Sequence, residues 1–537
     1  MLICHSKHHQ VRSIVVALLF IIILISCARV GSPTGGPKDE KPPVSISAEP
    51  DFGSTNFKGH KIKINFNEYI KFKDLNKQLI VSPPLKYQPE VTPLGIASKS
   101  ITIKIKDTLR PHTTYTFNFG NSIVDNAEGN VLKQFKYVFS TGDYIDSLEI
   151  KGNILNIMSD ELPKNTTVML YALDSTYNDS VIYKTKPNYV GNTLDSTLFS
   201  ITNIKEGNYK IFALKDANAN MVYDPRVDQI AFQNDTVKIP SEDTYELTLF
   251  KEEPSFEIKR LSEHSKNRLW IPYEGQWKAE IVELEDANKT KIPFVAYQSQ
   301  EYDSIDVWYK DISTDSMFVN IKTDSLKTYS IKLRKKDRDS LMLKSNISRI
   351  LHPNDSLFIE ANIPLVSIDK ELMSIMDKDS TKISFEMSKD KNPLRVFLDF
   401  KRQPENNYII SVLPGAVKDF FDQTNDSIQL GLKTQKLEDY GEIVLEVITD
   451  KNIIVELLDD KNNSINTRHI ERNSELTYSK LIPGKYKFKF VIDENNNKLW
   501  DTGSFLNNRQ PERIIYYNKI IELRANWTTN ESINISN

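Results

Sequence analysis

The chain is short of cysteine and glycine, and each shortage closes off a class of function. It has two cysteines and 18 glycines in 537 residues, where glycine ordinarily makes up about 7% of a soluble protein. So few glycines leave little room for phosphate-cradling loops, and neither G-x-x-x-x-G-K-[ST] nor G-x-G-x-x-G occurs. The eight histidines form no H-E-x-x-H, and no C-x-x-C exists to hold zinc. No serine lies in a G-x-S-x-G elbow. An excess of charge of one sign is missing too: 69 Lys and Arg stand against 72 Asp and Glu. Coating a phosphate backbone needs a basic excess, so nucleic acid is not an expected partner. Carboxylates are plentiful but unpatterned, and choosing two of them as a glycosidase pair has no specificity. No enzyme is expected.

Long hydrophobic runs are absent except at the start. Lys7 and Arg12 precede an apolar run from Ile14 to Ile25. A bilayer span takes about 18 residues or more, so this run reads as the core of a secretion signal. It ends in Leu24-Ile25-Ser26-Cys27, which resembles the bacterial lipobox. That resemblance implies cleavage after Ser26, a thioether from Cys27 to diacylglycerol, and acylation of the freed amine. Two or three acyl chains, at ~0.8 kcal/mol per buried CH₂, anchor a protein stably to a membrane. Residues 1–26 are then a signal peptide and 27–43 a lipidated tether rich in glycine and proline. Cys4 leaves with the signal, so the mature chain has no free thiol and no disulfide. Ala28 is not the aspartate that retains lipoproteins in the inner membrane of enteric bacteria. The acidic run that marks many surface-exported lipoproteins of the Bacteroidota is also missing behind Cys27. The expected address is the outer membrane, with either leaflet open.

From Val44 onward the pattern has period two. Ile62, Ile64 and Phe66 alternate with polar residues, as do Ile101, Ile103 and Ile105, and then Tyr115, Phe117 and Phe119. Such alternation between turn signals specifies half-buried antiparallel strands. Short helical turns are expected only at Lys370–Met376 and Ala416–Phe421. The fold class is all-β, in about three to five domains at this length.

Several motifs divide the chain further. Pro50-Asp51-Phe52-Gly53, Leu109-Arg110-Pro111-His112-Thr113-Thr114-Tyr115, Asp125 to Asn130 and Phe139-Ser140-Thr141-Gly142 together resemble the bacterial Ig-like domain of the SbsA type. This resemblance covers 44–142 and implies a sandwich without an activity. Tyr408 leads to Asp419 much as Tyr115 leads to Asp125, which suggests a second Ig-like domain at 350–436. A plainer repeat runs from Gly207 through Tyr209 to Asp224 and again from Gly484 through Tyr486 to Asp501, at the same spacings. Both copies resemble the prealbumin-like sandwich of carboxypeptidase regulatory-like domains and are placed at 145–250 and 440–537. Residues 255–349 are β-patterned and match no family.

Two features carry binding chemistry. Asp216, Asn218, Asn220 and Asp224, and likewise Asp493, Asn495, Asn497 and Asp501, stand at positions 1, 3, 5 and 9 of a calcium-type loop. Met221 and Lys498 replace the glycine at position 6, and Val227 and Ser504 the closing glutamate. Calcium therefore competes with a second reading, in which Asp and Asn side chains satisfy their own backbone. Trp270, Tyr273 and Trp277, with Trp308 further on, form the densest aromatic group, readable as a binding platform or as core. The function expected is a scaffold or accessory lipoprotein of a cell-envelope protein complex, held to the membrane through Cys27. A surface adhesin or glycan-binding lipoprotein is the alternative.

Overall fold

A computed structural model describes residues 38–157, 162–279, 281–299, 302–334 and 337–535. The expected signal peptide, Cys27 and the expected tether as far as residue 37 lie outside the described residues. The all-β expectation holds. Among the described residues the helical elements are Leu75–Gln78 and the 3₁₀ turns Asp179–Tyr183, Lys370–Leu372 and Leu437–Asp439. Lys370–Leu372 gives way at once to the strand Met373–Met376, and Val417–Asp419 is a strand. The expected turn at Lys370–Met376 is helical over Lys370–Leu372 and then pairs, Met373 with Val412, whereas the one expected at Ala416–Phe421 yields to pairing of Leu365 with Asp419.

The chain divides into two units, Met1–Asp146 and Ser147–Asn537. In the first, one sheet takes the order Glu90–Thr92, Ser98–Lys104, Lys61–Phe72, Ile123–Asp125, Val131–Leu132, with Ser45–Glu49 also on the long strand. The facing sheet joins Ile80–Ser82, Thr114–Asn118 and Lys136–Ser140. Alternate residues of the two sheets meet in one core, among them Ile62, Ile64, Phe66, Ile101, Ile103, Phe117 and Phe139. Period two puts every second side chain on one face, so the pattern read along the sequence is the pattern buried.

The second unit contains four further sandwiches, each with its own core. In chain order these cores run from Ile150 to Leu249, from Leu269 to Ile331, from Leu351 to Leu432 and from Ile443 to Ile535. The fourth sandwich begins earlier than the sequence suggests. Leu343–Ser345 pairs with Phe358–Ala361 and Leu343 and Ile347 pack on the later core, so residues assigned to the 255–349 block belong to the next one.

The first and fourth sandwiches share a strand order. Leu343–Ser345, Phe358–Ala361, Arg395–Phe400 and Phe385–Lys389 are neighbours as Ser45–Glu49, Lys61–Phe72, Ser98–Lys104 and Glu90–Thr92 are. They also share a corner. The Tyr115 hydroxyl accepts from the Arg110 N–H at 2.9 Å, and the Tyr408 hydroxyl from the Gln403 N–H at 2.7 Å. Thr141 donates to the Arg110 carbonyl at 2.7 Å, and Thr434 to the Gln403 carbonyl at 2.6 Å. A buried tyrosine that ties its strand to the preceding turn is a device of Ig-like sandwiches. Tyr408→Phe would strand the Gln403 N–H and should cost about 1–3 kcal/mol. Urea unfolding of the variant measures this, and an unchanged midpoint would refute the assigned role.

The second and fifth sandwiches share another order. Each has a three-stranded sheet with one parallel pair, Leu148–Asn156 with Thr244–Leu249 and Gly441–Ile448 with Thr528–Asn534. Each has a five-stranded sheet centred on the repeated strand, Gly207–Lys215 or Gly484–Ile492. Tyr209 donates to the Lys205 carbonyl at 2.9 Å, and Tyr486 to the Ile482 carbonyl at 2.5 Å. The chain thus runs first type, second type, a central sandwich, then both types again.

Candidate functional site

The two acidic loops follow the repeated strands, where backbone must turn without ladder partners. Asp216 accepts from the N–H groups of Asn218 and Met221, at 3.1 and 2.6 Å. Asp224 is held by Arg226 through Nε and Nη2, both at 3.1 Å, which lowers its pKa. Asn220 accepts from the Val222 N–H, and Asn218 is exposed. In the second loop Asp493 accepts from the N–H groups of Asn497 and Lys498, at 3.1 and 2.9 Å. Asn495 and Asn497 both donate to Asp501, at 2.6 and 2.7 Å. These oxygens are turned to the loops' own donors, the geometry of Asx-type turns. Among the described residues no three acidic, histidine or cysteine side chains gather as a metal-binding group.

A buried carboxylate outside each motif staples the loop. Asp228 accepts from the N–H groups of Ala217 and Asp224, at 2.9 and 2.8 Å. In the second copy Glu512 accepts from those of Glu494 and Asp501, both at 2.9 Å. Burial pushes both carboxyls up, against the pull of the amide bonds. The two staples hold equivalent amides but stand at different distances along the chain. Asp224 and Asp228 are 4 residues apart, Asp501 and Glu512 are 11 apart. The extra residues form the turn closed by the Ser504–Arg509 bridge. That difference in spacing is the sequence signal for an insertion in the second copy.

The turn reaches across to the second sandwich. Phe505 is buried, with its ring 5.1 Å from Phe212 and 5.3 Å from Phe232. Its N–H donates to Glu252 Oε1 at 2.6 Å, and Tyr223 donates to Oε2 of the same carboxylate at 2.7 Å. Burial first, then the Glu252 charge, pushes the Tyr223 pKa up. Thr502 donates to the Lys251 carbonyl at 2.6 Å and Gln510 to the Phe232 carbonyl at 3.0 Å. The receiving face is the outer face of the five-stranded sheet, where Met169, Phe212 and Phe232 stand side by side across three strands. The equivalent row in the fifth sandwich is Glu456, Lys489 and Tyr516, with Lys489 and Glu456 paired at 3.0 Å. One copy of the repeat offers an apolar face and the other a plug that covers it.

The aromatic group is not a single surface. Tyr273 is buried and Trp277 packs on the same core, with ring centroids 5.1 Å apart. Trp270 stands on the opposite side of the strand Arg268–Glu274, stacked on His264 at 4.2 Å. Alternation along a strand forces this division, because positions 270 and 273 differ by an odd number. Trp308 is fully buried and packs with Ile363 and Phe420 of the fourth sandwich. Lys310 donates to the Phe420 carbonyl and lies 4.6 Å over that ring, and Arg338 lies 4.1 Å over Phe421. Cation–π contacts of this kind fix the third sandwich on the fourth.

Beside that interface lies a cleft of about 440 Å³ lined by Arg268, Tyr297, Asp306, Lys344, Glu360 and Arg395 among others. Arg268 Nε donates to Asp306 at 2.9 Å, and Arg395 and Lys344 hold Glu360 at 2.7 and 3.0 Å. Burial opposes ionisation of Glu360, but these cations outweigh it and lower its pKa. Both carboxylates of the cleft are engaged in ion pairs with its own cations.

Residues 39–141 match the bacterial Ig-like domain family Big_5. The match spans both sheets of the first sandwich. No curated protein matches the chain. Solved structures similar to it include the Bacillus anthracis TIE protein, at 9% identity and a TM-score of 0.14, over 94% of this chain and 76% of that one. BcpA, the major pilin subunit of Bacillus cereus, is similar at 9% identity and a TM-score of 0.14, over 72% and 98%. Domains 1–6 of surface layer protein SbsC are similar at 10% identity and a TM-score of 0.14, over 89% and 67%.

Proposed function

We propose that this protein is a non-catalytic outer-membrane lipoprotein of the Bacteroidota type, serving as a scaffold or accessory subunit of a cell-envelope protein complex. The lipobox at Leu24–Cys27 supports the address. The observation that carries the role is the interlocking of four sandwiches in the second unit. Phe505 fastens the fifth to the second, Trp308 and Phe420 join the third to the fourth, and Asn354 donates to the Ser479 carbonyl between the fourth and fifth. Such a frame presents fixed outer surfaces, as a subunit that positions other proteins must. The resemblance of the Gly207 and Gly484 repeats to the prealbumin-like family implies stalk or interaction modules, and the SbsA-type resemblance a sandwich without an activity. The Asp and Asn oxygens of the two loops already accept from their own loop donors, so added calcium should leave the melting temperature unchanged.

Two measurements test the proposal. Tagged protein purified from membranes should bring down a stoichiometric envelope partner, and its absence would count against a scaffold. Cys27→Ala should move the protein from the membrane to the soluble fraction, and unchanged fractionation would remove the lipid anchor. A glycan-binding role is the second reading, favoured by Trp270, whose buried Nε1 has no hydrogen-bond partner among the described residues. Binding on a glycan array that Trp270→Ala abolishes would select it.

A further inference from the structure

Large apolar side chains gather in the open where the chain enters the first sandwich. Val44 and Ile46 are 56% and 66% exposed, Tyr69 57%, Leu94 65% and Ile96 70%. Backbone pairing brings them to one region. The Val44 N–H donates to Asn67 Oδ1 at 2.8 Å and the Asn67 N–H to the Val44 carbonyl at 3.0 Å, two residues before Tyr69. Asn130 fastens the Asp39 carbonyl at 2.8 Å, in the turn that opens with the Asn126 N–H on the Tyr69 carbonyl. Ser98 pairs with Ile70, which sets the turn holding Leu94 and Ile96 beside Tyr69, and Lys99 Nζ lies 5.4 Å from the Tyr69 ring. Monomeric soluble proteins seldom leave aliphatic side chains grouped this way without something to cover them.

We propose that this end of the first sandwich seats on the lipid surface to which Cys27 is tethered, with Leu94 and Ile96 entering the acyl boundary. The inference rests on the lipid anchor proposed above. The length of chain between the anchor and the sandwich argues for lipid as the occupant. From Cys27 to Asp39, where Asn130 fastens the chain, a fully extended tether reaches about 40 Å. The apolar end is therefore held close to the bilayer at high effective concentration, so a weak contact suffices. The composition of the patch fits an interface. Aliphatic tips enter, the Tyr69 ring sits at headgroup level, and the Lys99 ammonium reaches water along its stem. Attraction to anionic lipid is not what holds this end, because burial and the neighbouring carboxylates of Asp125, Asp39 and Glu128 push the Glu68 carboxyl up, so that like charges gather there. The contact should accordingly hold on uncharged lipid and resist salt.

The test uses the lipidated mature chain in phosphatidylcholine vesicles. Cys27 is blocked as a thioether, so Ile96→Cys supplies the sole thiol for a bimane label. Thr108→Cys, beyond the other end of the strand Ser98–Lys104, is the control. Nitroxide lipids should quench the label at 96 about twofold and leave that at 108 unchanged. Equal, weak quenching at both positions would overturn the proposal. A label at 96 unquenched in pure lipid but shielded from aqueous iodide in native membranes would also overturn it, by assigning the patch to a protein partner. The lipid-free chain, residues 28–537, gives a second measurement. Leu94→Asp with Ile96→Asp should lower its vesicle-bound fraction about tenfold without changing its melting temperature. No loss of binding would sink the proposal. Absence of a lipid mass on Cys27 would instead sink the anchor, and the lipid-free measurement would still decide the seating.

Discussion

Replacing Phe505 by alanine should unfasten the fifth sandwich from the second, at a cost of about 3–5 kcal/mol to the docked state. The side chain fills a site between Phe212 and Phe232 of the five-stranded sheet and Tyr183 at the end of the 3₁₀ turn Asp179–Tyr183. Alanine would leave a cavity there or let water reach an apolar face. It would also loosen the hydrogen bond from residue 505 to Glu252, and with it the partner of the buried Tyr223 hydroxyl. Hydrogen exchange should accelerate across 502–510, and the radius of gyration should grow if the contacts around Thr502 and Gln510 fail with it. Phe505→Leu should keep much of the docking. If exchange and dimensions of the alanine variant match those of the parent, Phe505 is not the fastening.

Gly152→Ala should unfold the second sandwich or leave it severely destabilised. A β-carbon at 152 would lie 2.1 Å from the Tyr245 carbonyl oxygen and 2.3 Å from the Phe199 ring. The first obstacle is backbone, in the strand Thr244–Leu249 that runs parallel to Leu148–Asn156, so it cannot be relieved by a rotamer change. Overpacking against side chains alone costs about 1–3 kcal/mol, and a backbone obstacle adds to that. Because this sandwich also receives Phe505, the variant should lose protection at 502–510 as well. Circular dichroism melting and exchange report the two effects separately. A melting curve like the parent's would show that the strands can spread at little cost.

Much of the fold was legible along the chain. The alternation of Ile62, Ile64 and Phe66 fixes which face of that strand is buried, and the structure buries that face. The motifs around Tyr115 and Tyr408, and around Tyr209 and Tyr486, recur along the sequence, and the structure builds equivalent hydrogen bonds within each pair. Trp270 and Tyr273 were legible in principle, since odd spacing on a strand divides them between faces. Asp228 and Glu512 were not found, because the calcium-type spacing drew attention to positions 216–224 and 493–501, and the staples lie beyond them. Strand Leu343–Ser345 was assigned to the wrong neighbour because three residues at a sheet edge carry too little alternation to declare a partner.

What the sequence determined by itself is local. It set the period of the strands and the turn chemistry. Those features depend on residues a few positions apart, where spacing and geometry are tied together. The tertiary structure decided which outer faces are covered. Met169, Phe212 and Phe232 read as ordinary strand residues until Phe505 is placed against them, and Thr502 meets the Lys251 carbonyl across 251 residues of chain. Alternation states that a side chain leaves one face of a sheet or the other. It contains nothing about a surface supplied from so far along the chain, because that pairing is fixed by shape and burial in the folded molecule.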